Sequence, residues 1–414
     1  MATQYEHVTA LDIGTASIKA VMARISPLQV ESILACASEP SCGHIRKGEI
    51  MTIAPAFDII TEVLYKLEKE ARHPVENLYL AISGSHIESH TITGSTPITN
   101  PDRCVTDLEY AQAVQNAQCW HKPPGKFCIN VYQCYFEIDG AIRYKDPRGM
   151  VGNRLTAHLH TVYAERNRIE GLLRLLHSMI NDKICELIFS GIADYYGMEP
   201  VRNQEQGVLT IDIGKGITDF SLFHENTCVH SGQIAVGCDH AINDLALAFH
   251  IPFELAADLF VQRGAAIAWI DEANREICIP TSTDCNNMIP EAVFNRIVEL
   301  RFEELFQLIR NNLEEYDKLK FLGRGVAVAG GAAELHGIVE LAGKVFDIPA
   351  WKAVPADLPN LPETFRTPAN ITPLGVIRFA QKKHFCRPHK PSISKVLRRE
   401  ITNVWSLLRN AFRM

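Results

Sequence analysis

The 414-residue chain contains no run of about eighteen consecutive apolar residues, so no segment is expected to cross a bilayer as a helix. Residues 1–9 carry no basic stretch and no apolar core, which argues against a secretory signal. The twelve cysteines include no C-x-x-C pair and no crowded cluster, so reduced thiols in a cytosol are expected. Sixteen histidines show no H-E-x-x-H or comparable ligand spacing, and no structural metal is expected. Basic residues are not in excess: the net charge is −7, which argues against nucleic acid as a partner. What is present is a globular composition, 47% hydrophobic and 21% charged, in a chain long enough for two packed domains.

One stretch organises the rest. Residues 208–223 read V-L-T-I-D-I-G-K-G-I-T-D-F-S-L-F. Period-2 alternation and β-branched residues on both sides of the glycines predict a strand–turn–strand hairpin. Gly214 and Gly216 permit positive φ and let backbone N–H groups approach a phosphate closely, with Lys215 between them. Asp212 ends the first strand where Mg²⁺ beside that phosphate would sit. The same shape occurs at residues 8–24, with Asp12, Gly14, a small polar turn of Thr15 and Ser17, and Lys19 within reach of a phosphate. Two D-I-G hairpins half a chain apart suggest a duplicated domain that clamps one nucleotide's phosphates. A third piece, residues 326–338, is a buried strand followed by Gly330 and Gly331, which allow a base or ribose to lie flat against the backbone. The order of the three pieces resembles the phosphate-1, phosphate-2 and adenosine motifs of the actin, sugar-kinase and 70-kDa heat-shock ATPase superfamily.

The fold class expected is therefore α/β: an actin-like duplicated ATPase fold with a nucleotide cleft between two halves. The first half covers 1–83 and 164–200 and is completed by a helix at 369–382. Between its parts, 84–163 reads as strand, helix, strand, strand, a small inserted α+β subdomain. That insert carries no paired acids and no nucleophile–base arrangement, so protein contacts are expected of it. The second half covers 201–242 and 320–368, with a smaller subdomain at 243–319. In the latter a long helix over 290–315 is expected to turn Val293, Ile297, Leu300, Leu305 and Leu308 inward, with Arg296, Arg301, Glu303, Glu304 and Arg310 on its other side.

The C-terminal end is a different object. Residues 383–392 form a basic, proline-containing linker. In 393–414, Val396, Leu397, Ile401, Val404, Trp405, Leu407, Leu408 and Phe412 fall on one half of a helical wheel. Lys395, Arg398, Arg399, Arg409 and Arg413 fall on the other, and Glu400 sits within the apolar arc. This pattern describes an amphipathic helix lying in an anionic membrane surface. Each cation near such a leaflet contributes ~1 kcal/mol, so one copy binds reversibly and a polymer of many copies binds far more tightly.

Together these features resemble the FtsA family of bacterial cell-division proteins over nearly the whole chain. The family's P-x-G-x-x-G-x-R-L stretch is matched by Pro147, Gly149, Gly152, Arg154 and Leu155. Its F-x-G-x-A-x-x-Y stretch is matched by Phe189, Gly191, Ala193 and Tyr196, and its last connecting helix by P-L-G-V-I-R-F-A at 373–380. The resemblance implies ATP and Mg²⁺ between the halves, actin-like self-assembly, and tethering of the tubulin-like FtsZ filament to the cytoplasmic face of the inner membrane at the septum. It implies contact with the FtsZ C-terminal peptide at Arg301 and Glu304, from an R-[YF]-x-E pattern, and with later division membrane proteins. Two residues depart from the family: Lys215 replaces a glycine of the phosphate-2 turn, and Phe260 stands where a lysine approaches adenine. With a cation at that turn, weak hydrolysis is expected, with ATP acting as an assembly cofactor. A PilM-like pilus-assembly ATPase and a sugar or acetate kinase are the competing readings. The basic terminal helix argues against both.

Overall fold

The computed structural model describes residues 5–120, 123–180, 184–268, 275–279 and 287–385. The expected membrane-binding helix at 393–414 lies outside the described residues.

The chain opens with β1 (Glu6–Ile13), β2 (Ser17–Ile25) and β3 (Val30–Pro40), then a small β4 (Ile45–Arg46) and β5 (Glu49–Ile50) ribbon. Next come α1 (Ile53–Ala71) and β6 (Leu78–Ile82). Ile60, Val63, Leu64 and Leu67 of α1 are buried, as their helical spacing predicts. The insert follows as β7 (Ile87–Pro97), α2 (Asp107–Trp120), β8 (Lys126–Ile138), β9 (Ile142–Tyr144) and β10 (Arg154–Glu165). The first half resumes with α3 (Arg166–Ile180), β11 (Ile184–Phe189) and α4 (Ser190–Gly197).

The second half repeats the plan with β12 (Val208–Ile213), β13 (Thr218–His224), β14 (Thr227–Ile234), α5 (Cys238–Phe249) and α6 (Phe253–Arg263). A ribbon of β15 (Glu276–Ile279) and β16 (Asn287–Pro290), which the sequence pattern did not reveal, leads into α7 (Glu291–Glu315). The chain continues with β17 (Gly325–Ala329), α8 (Ile338–Phe346), β18 (Ala350–Lys352) and α9 (Ile371–His384).

The duplication is visible strand by strand. One sheet runs β11-β6-β1-β2-β3 and the other β14-β13-β12-β17-β18. In each, an antiparallel three-stranded meander is extended by two parallel strands from its first member. The near-continuous apolar runs of β6 and β17 are buried along their whole length, as strands covered on both faces are. The insert has its own small core, which includes Ile92, Ala113, Phe136 and Leu159.

Two of the contacts that join the halves bear on the site. Helix α9 packs on β1 and β6 of the first half, while α4 packs on β12 and β13 of the second. Where α4 and α9 cross, a methyl group at Gly197 would collide with the Ile371 carbonyl, and one at Gly375 with the Ala193 carbonyl. The second contact is made by the insert, which lies against β14. There His160 Nε2 is 2.8 Å from Ser231 Oγ, the Thr227 hydroxyl donates to the Gln133 carbonyl at 2.9 Å, and the Ser89 hydroxyl donates to the Ser231 carbonyl.

Helix α7 corrects one expectation. It buries Phe294, Val298, Phe302, Leu305, Phe306, Ile309 and Leu313. Val293, Leu300 and Leu308, expected inside, are 50%, 49% and 41% exposed. The helix carries apolar residues on more than one face, and the larger phenylalanines take the core.

Candidate functional site

The two sequence hairpins face each other across a cavity of about 610 Å³. Both turns are built alike. Gly14 N–H donates to Ser17 O at 3.1 Å, and Gly214 N–H donates to Ile217 O at 3.0 Å. Cross-strand register pairs Asp12 with Lys19 in one hairpin and Asp212 with Asp219 in the other. The cavity is lined by Asp12, Gly14, Thr15, Ser17, Lys19, Asp212, Gly214, Lys215, Gly330 and Gly331. Gly216 lines a neighbouring cavity of about 530 Å³, which it shares with Thr15, Arg46, Lys47 and Lys215. Gly330 has φ 83°, and a side chain there would collide with Asp212 Oδ1, so glycine is required at that turn.

The structure brings two residues from outside the three motifs to this site. Asp194 of α4 and Thr372 of α9 meet Asp212 beneath the turns. The Thr372 hydroxyl lies 2.7 Å from Asp194 Oδ1 and 3.1 Å from Asp212 Oδ2. A hydroxyl has one proton to give, so the second contact needs a protonated carboxyl. Asp194 meets that need: burial first, then the neighbouring Asp212 charge, push its pKa well above the ordinary range. Asp219 is pushed up by burial in the same way, and Asp212 is pushed up to about 6, with Lys19 opposing. Asp12 is also raised by burial against the pull of Lys19. Lys19 Nζ donates to the Ala369 carbonyl, which ties the first hairpin to the approach of α9. Asp194 Oδ2 and Asp219 Oδ1 are buried without a hydrogen-bond partner.

The rim is formed by the second half. Phe260 of α6 is buried in the cavity wall beside Ala257 and Ile242. Lys215 is exposed at the turn tip, where its charge opposes the raised pKa that burial gives Asp239. The start of α5 is anchored on this turn, with Cys238 N–H donating to Gly214 O at 3.1 Å and Asp239 N–H to Lys215 O at 2.8 Å.

Arg301 and Glu304 lie elsewhere, on α7. Arg301 makes a two-pronged ion pair with Asp244 of α5 at 2.6 and 3.0 Å, and Nη1 lies 2.5 Å from Glu304 Oε2. Phe302, part of the same sequence pattern, is fully buried.

A doubled sheet with two glycine turns and buried acids at the seam defines an actin-like ATPase fold. Solved structures agree on the fold. The chain matches one from the "PilM-PilN type IV pilus biogenesis complex" at TM-score 0.60 and 16% identity, covering 92% of this chain and 99% of that one. It matches MreB5 of Spiroplasma citri bound to ADP at TM-score 0.55 and 15% identity, with 92% and 99% covered. Within that class, the family model "Cell division protein FtsA" matches residues 209–375, and "SHS2 domain inserted in FTSA" matches 84–163, together more than half of the chain. "Cell division protein FtsA" of Pseudomonas aeruginosa is 25% identical over 377 residues, covering 91% of this chain and 89% of its own. The chain belongs to the FtsA family of cell-division proteins.

Proposed function

We propose that this chain binds ATP with Mg²⁺ in the cleft, assembles with copies of itself, and anchors the FtsZ polymer to the cytoplasmic face of the membrane at the septum. The observation that carries the reading is the pair of like-built glycine turns facing one cavity that also holds Lys19. The turns supply backbone donors for phosphates, Lys19 a cation, and Gly330–Gly331 a flat wall for the nucleoside. Phe260 offers a ring face in place of a lysine. Asp12 and Asp212 would hold Mg²⁺ through water, and the metal would supply charge neutralisation for the phosphates. The donor set fits: Asp12 and Asp212 both line the cavity, while no group of three acids, histidines or cysteines among the described residues is set to enclose an ion directly. A hydrated Mg²⁺ asks for one or two carboxylates and substrate oxygens rather than a protein cage.

In this reading 84–163 contacts later division membrane proteins and α7 receives the FtsZ tail. Arg301 is already committed to Asp244, so an acidic tail must exchange partners with it. The exposed Val293, Leu300 and Leu308 give such a tail an apolar stripe to cover. Residues 393–414 supply the membrane anchor, and the exposed Lys215 favours nucleotide retention over rapid turnover.

Liposome flotation tests this. The full chain is expected to float with anionic vesicles, more completely with ATP, and a chain ending at Lys390 is expected to stay in solution. Equal flotation of both would remove the anchor from the proposal.

A further inference from the structure

A second cavity, of about 450 Å³, opens where the insert meets the second half. It shares no lining residue with the cleft. The insert contributes Tyr135, Arg143 and Lys145, and the second half contributes Lys318, Lys320 and Phe321. Four cations therefore meet only two lining acids, Glu225 and Asp317, on a chain whose net charge is −7.

Two of the four cations are ion-paired, and two are held by neighbours that carry no charge. The Arg143 guanidinium stacks over the Tyr135 ring at 4.6 Å and pairs outward with Glu137 at 3.4 Å. Lys145 donates to the Glu225 main-chain carbonyl at 3.0 Å. Lys320 pairs with Asp317. Lys318 has no carboxylate within ion-pair distance among the described residues. Its ammonium has a long, 3.4 Å contact to the Thr91 hydroxyl and lies 5.8 Å above the Phe321 ring. Burial lowers its pKa. Burial lowers the pKa of His158, His160 and His230, against the pull of Glu137 on His158 and of the Asn312 contact on His230, and the Lys318 charge adds a smaller push in the same direction as burial. Lys318 is thus a half-buried cation with no ion-pair partner among the described residues, facing two further cations from the insert across the same cavity.

We propose that this junction binds a small phosphorylated ligand that bridges the insert and the second half. Lys318 would meet the phosphoryl group, with Arg143 and Lys145 completing its shell from the insert. A dianionic group can satisfy several of these donors at once, and the volume suits a small molecule. This site is separate from the proposed ATP cleft and does not depend on that assignment.

The test is calorimetric titration of inorganic pyrophosphate into the full chain, with the cleft saturated by a non-hydrolysable ATP analogue and Mg²⁺. Saturable binding is expected, weakened at least tenfold in Lys318→Met and retained in Lys318→Arg, with analogue affinity unchanged in both. Arg143→Gln, at an exposed position, is expected to weaken pyrophosphate similarly and guards against misfolding of the first variant. No binding to the saturated protein, or equal affinity in Lys318→Met and Arg143→Gln, would overturn the site. Binding of a hexaglutamate peptide without binding of pyrophosphate would overturn it too, because the junction would then be a peptide dock.

Discussion

Lys215 carries the sharpest question at the scale of single residues. It places a cation at a turn that otherwise offers only backbone donors, and it does so from an exposed position. Such a charge would take over part of the neutralisation that the proposed Mg²⁺ would supply. Lys215→Gly is therefore expected to make ATP binding more dependent on Mg²⁺, read as a steeper metal titration of nucleotide affinity. Identical titrations would assign the lysine to solvent. His230 gives a pH prediction. Burial lowers it to about 4, while its 2.8 Å contact to Asn312 Oδ1 opposes the shift. The unfolded chain takes up this proton near 6.5 and the folded chain does not, so stability is full above that pH and is lost as pH falls toward 4. The loss reaches about 3 kcal/mol. His230→Gln should shrink the gap between urea midpoints at pH 7.5 and 4.5; parallel curves would rule the residue out. Asp12, Lys19 and Asp212 were legible because a short pattern contains both the turn and its acids. Asp194 and Thr372 are 178 positions apart, and only the crossing of two helices brings them together, so their shared contact has no local signature.

Among elements, α7 is the most informative. Its length and helical period are plain in sequence, yet the buried face is legible only in part: Leu305 is buried and Ile297 packs against the core, while Val293, Leu300 and Leu308 are exposed. A helix with apolar residues around most of its girth has no single stripe to read, and packing volume decides which side turns inward. The consequence is an exposed apolar strip next to a charged cluster. Leu300→Asp is expected to leave folding stability within about 0.5 kcal/mol, because the side chain is half exposed. It should weaken binding of an FtsZ tail peptide at least tenfold in a fluorescence polarisation assay. Undiminished affinity would move the peptide site off this helix. The β15–β16 ribbon escaped notice for another reason: strands of four residues are too short for a period to show.

At the scale of the whole molecule, the two halves are joined both at the cleft floor and through the insert. Asp219 reaches the cleft from β13, and β14, its neighbour in the sheet, carries the seam with β7 and β8. Closure around a nucleotide must therefore load that seam. Hydrogen exchange is expected to slow in residues 87–97 when an ATP analogue binds, as well as in the two turns. Protection confined to the turns would show that the insert is a passenger. The α4–α9 crossing sets how such motion proceeds. Glycines at both contact points leave no clearance for the helices to slide past one another, but they leave the axes free to swivel. Such a joint would work as a pin rather than a rail. Rotation about a pin displaces distant points most, so a small change at the two glycine turns would emerge as a long stroke at the periphery of each half.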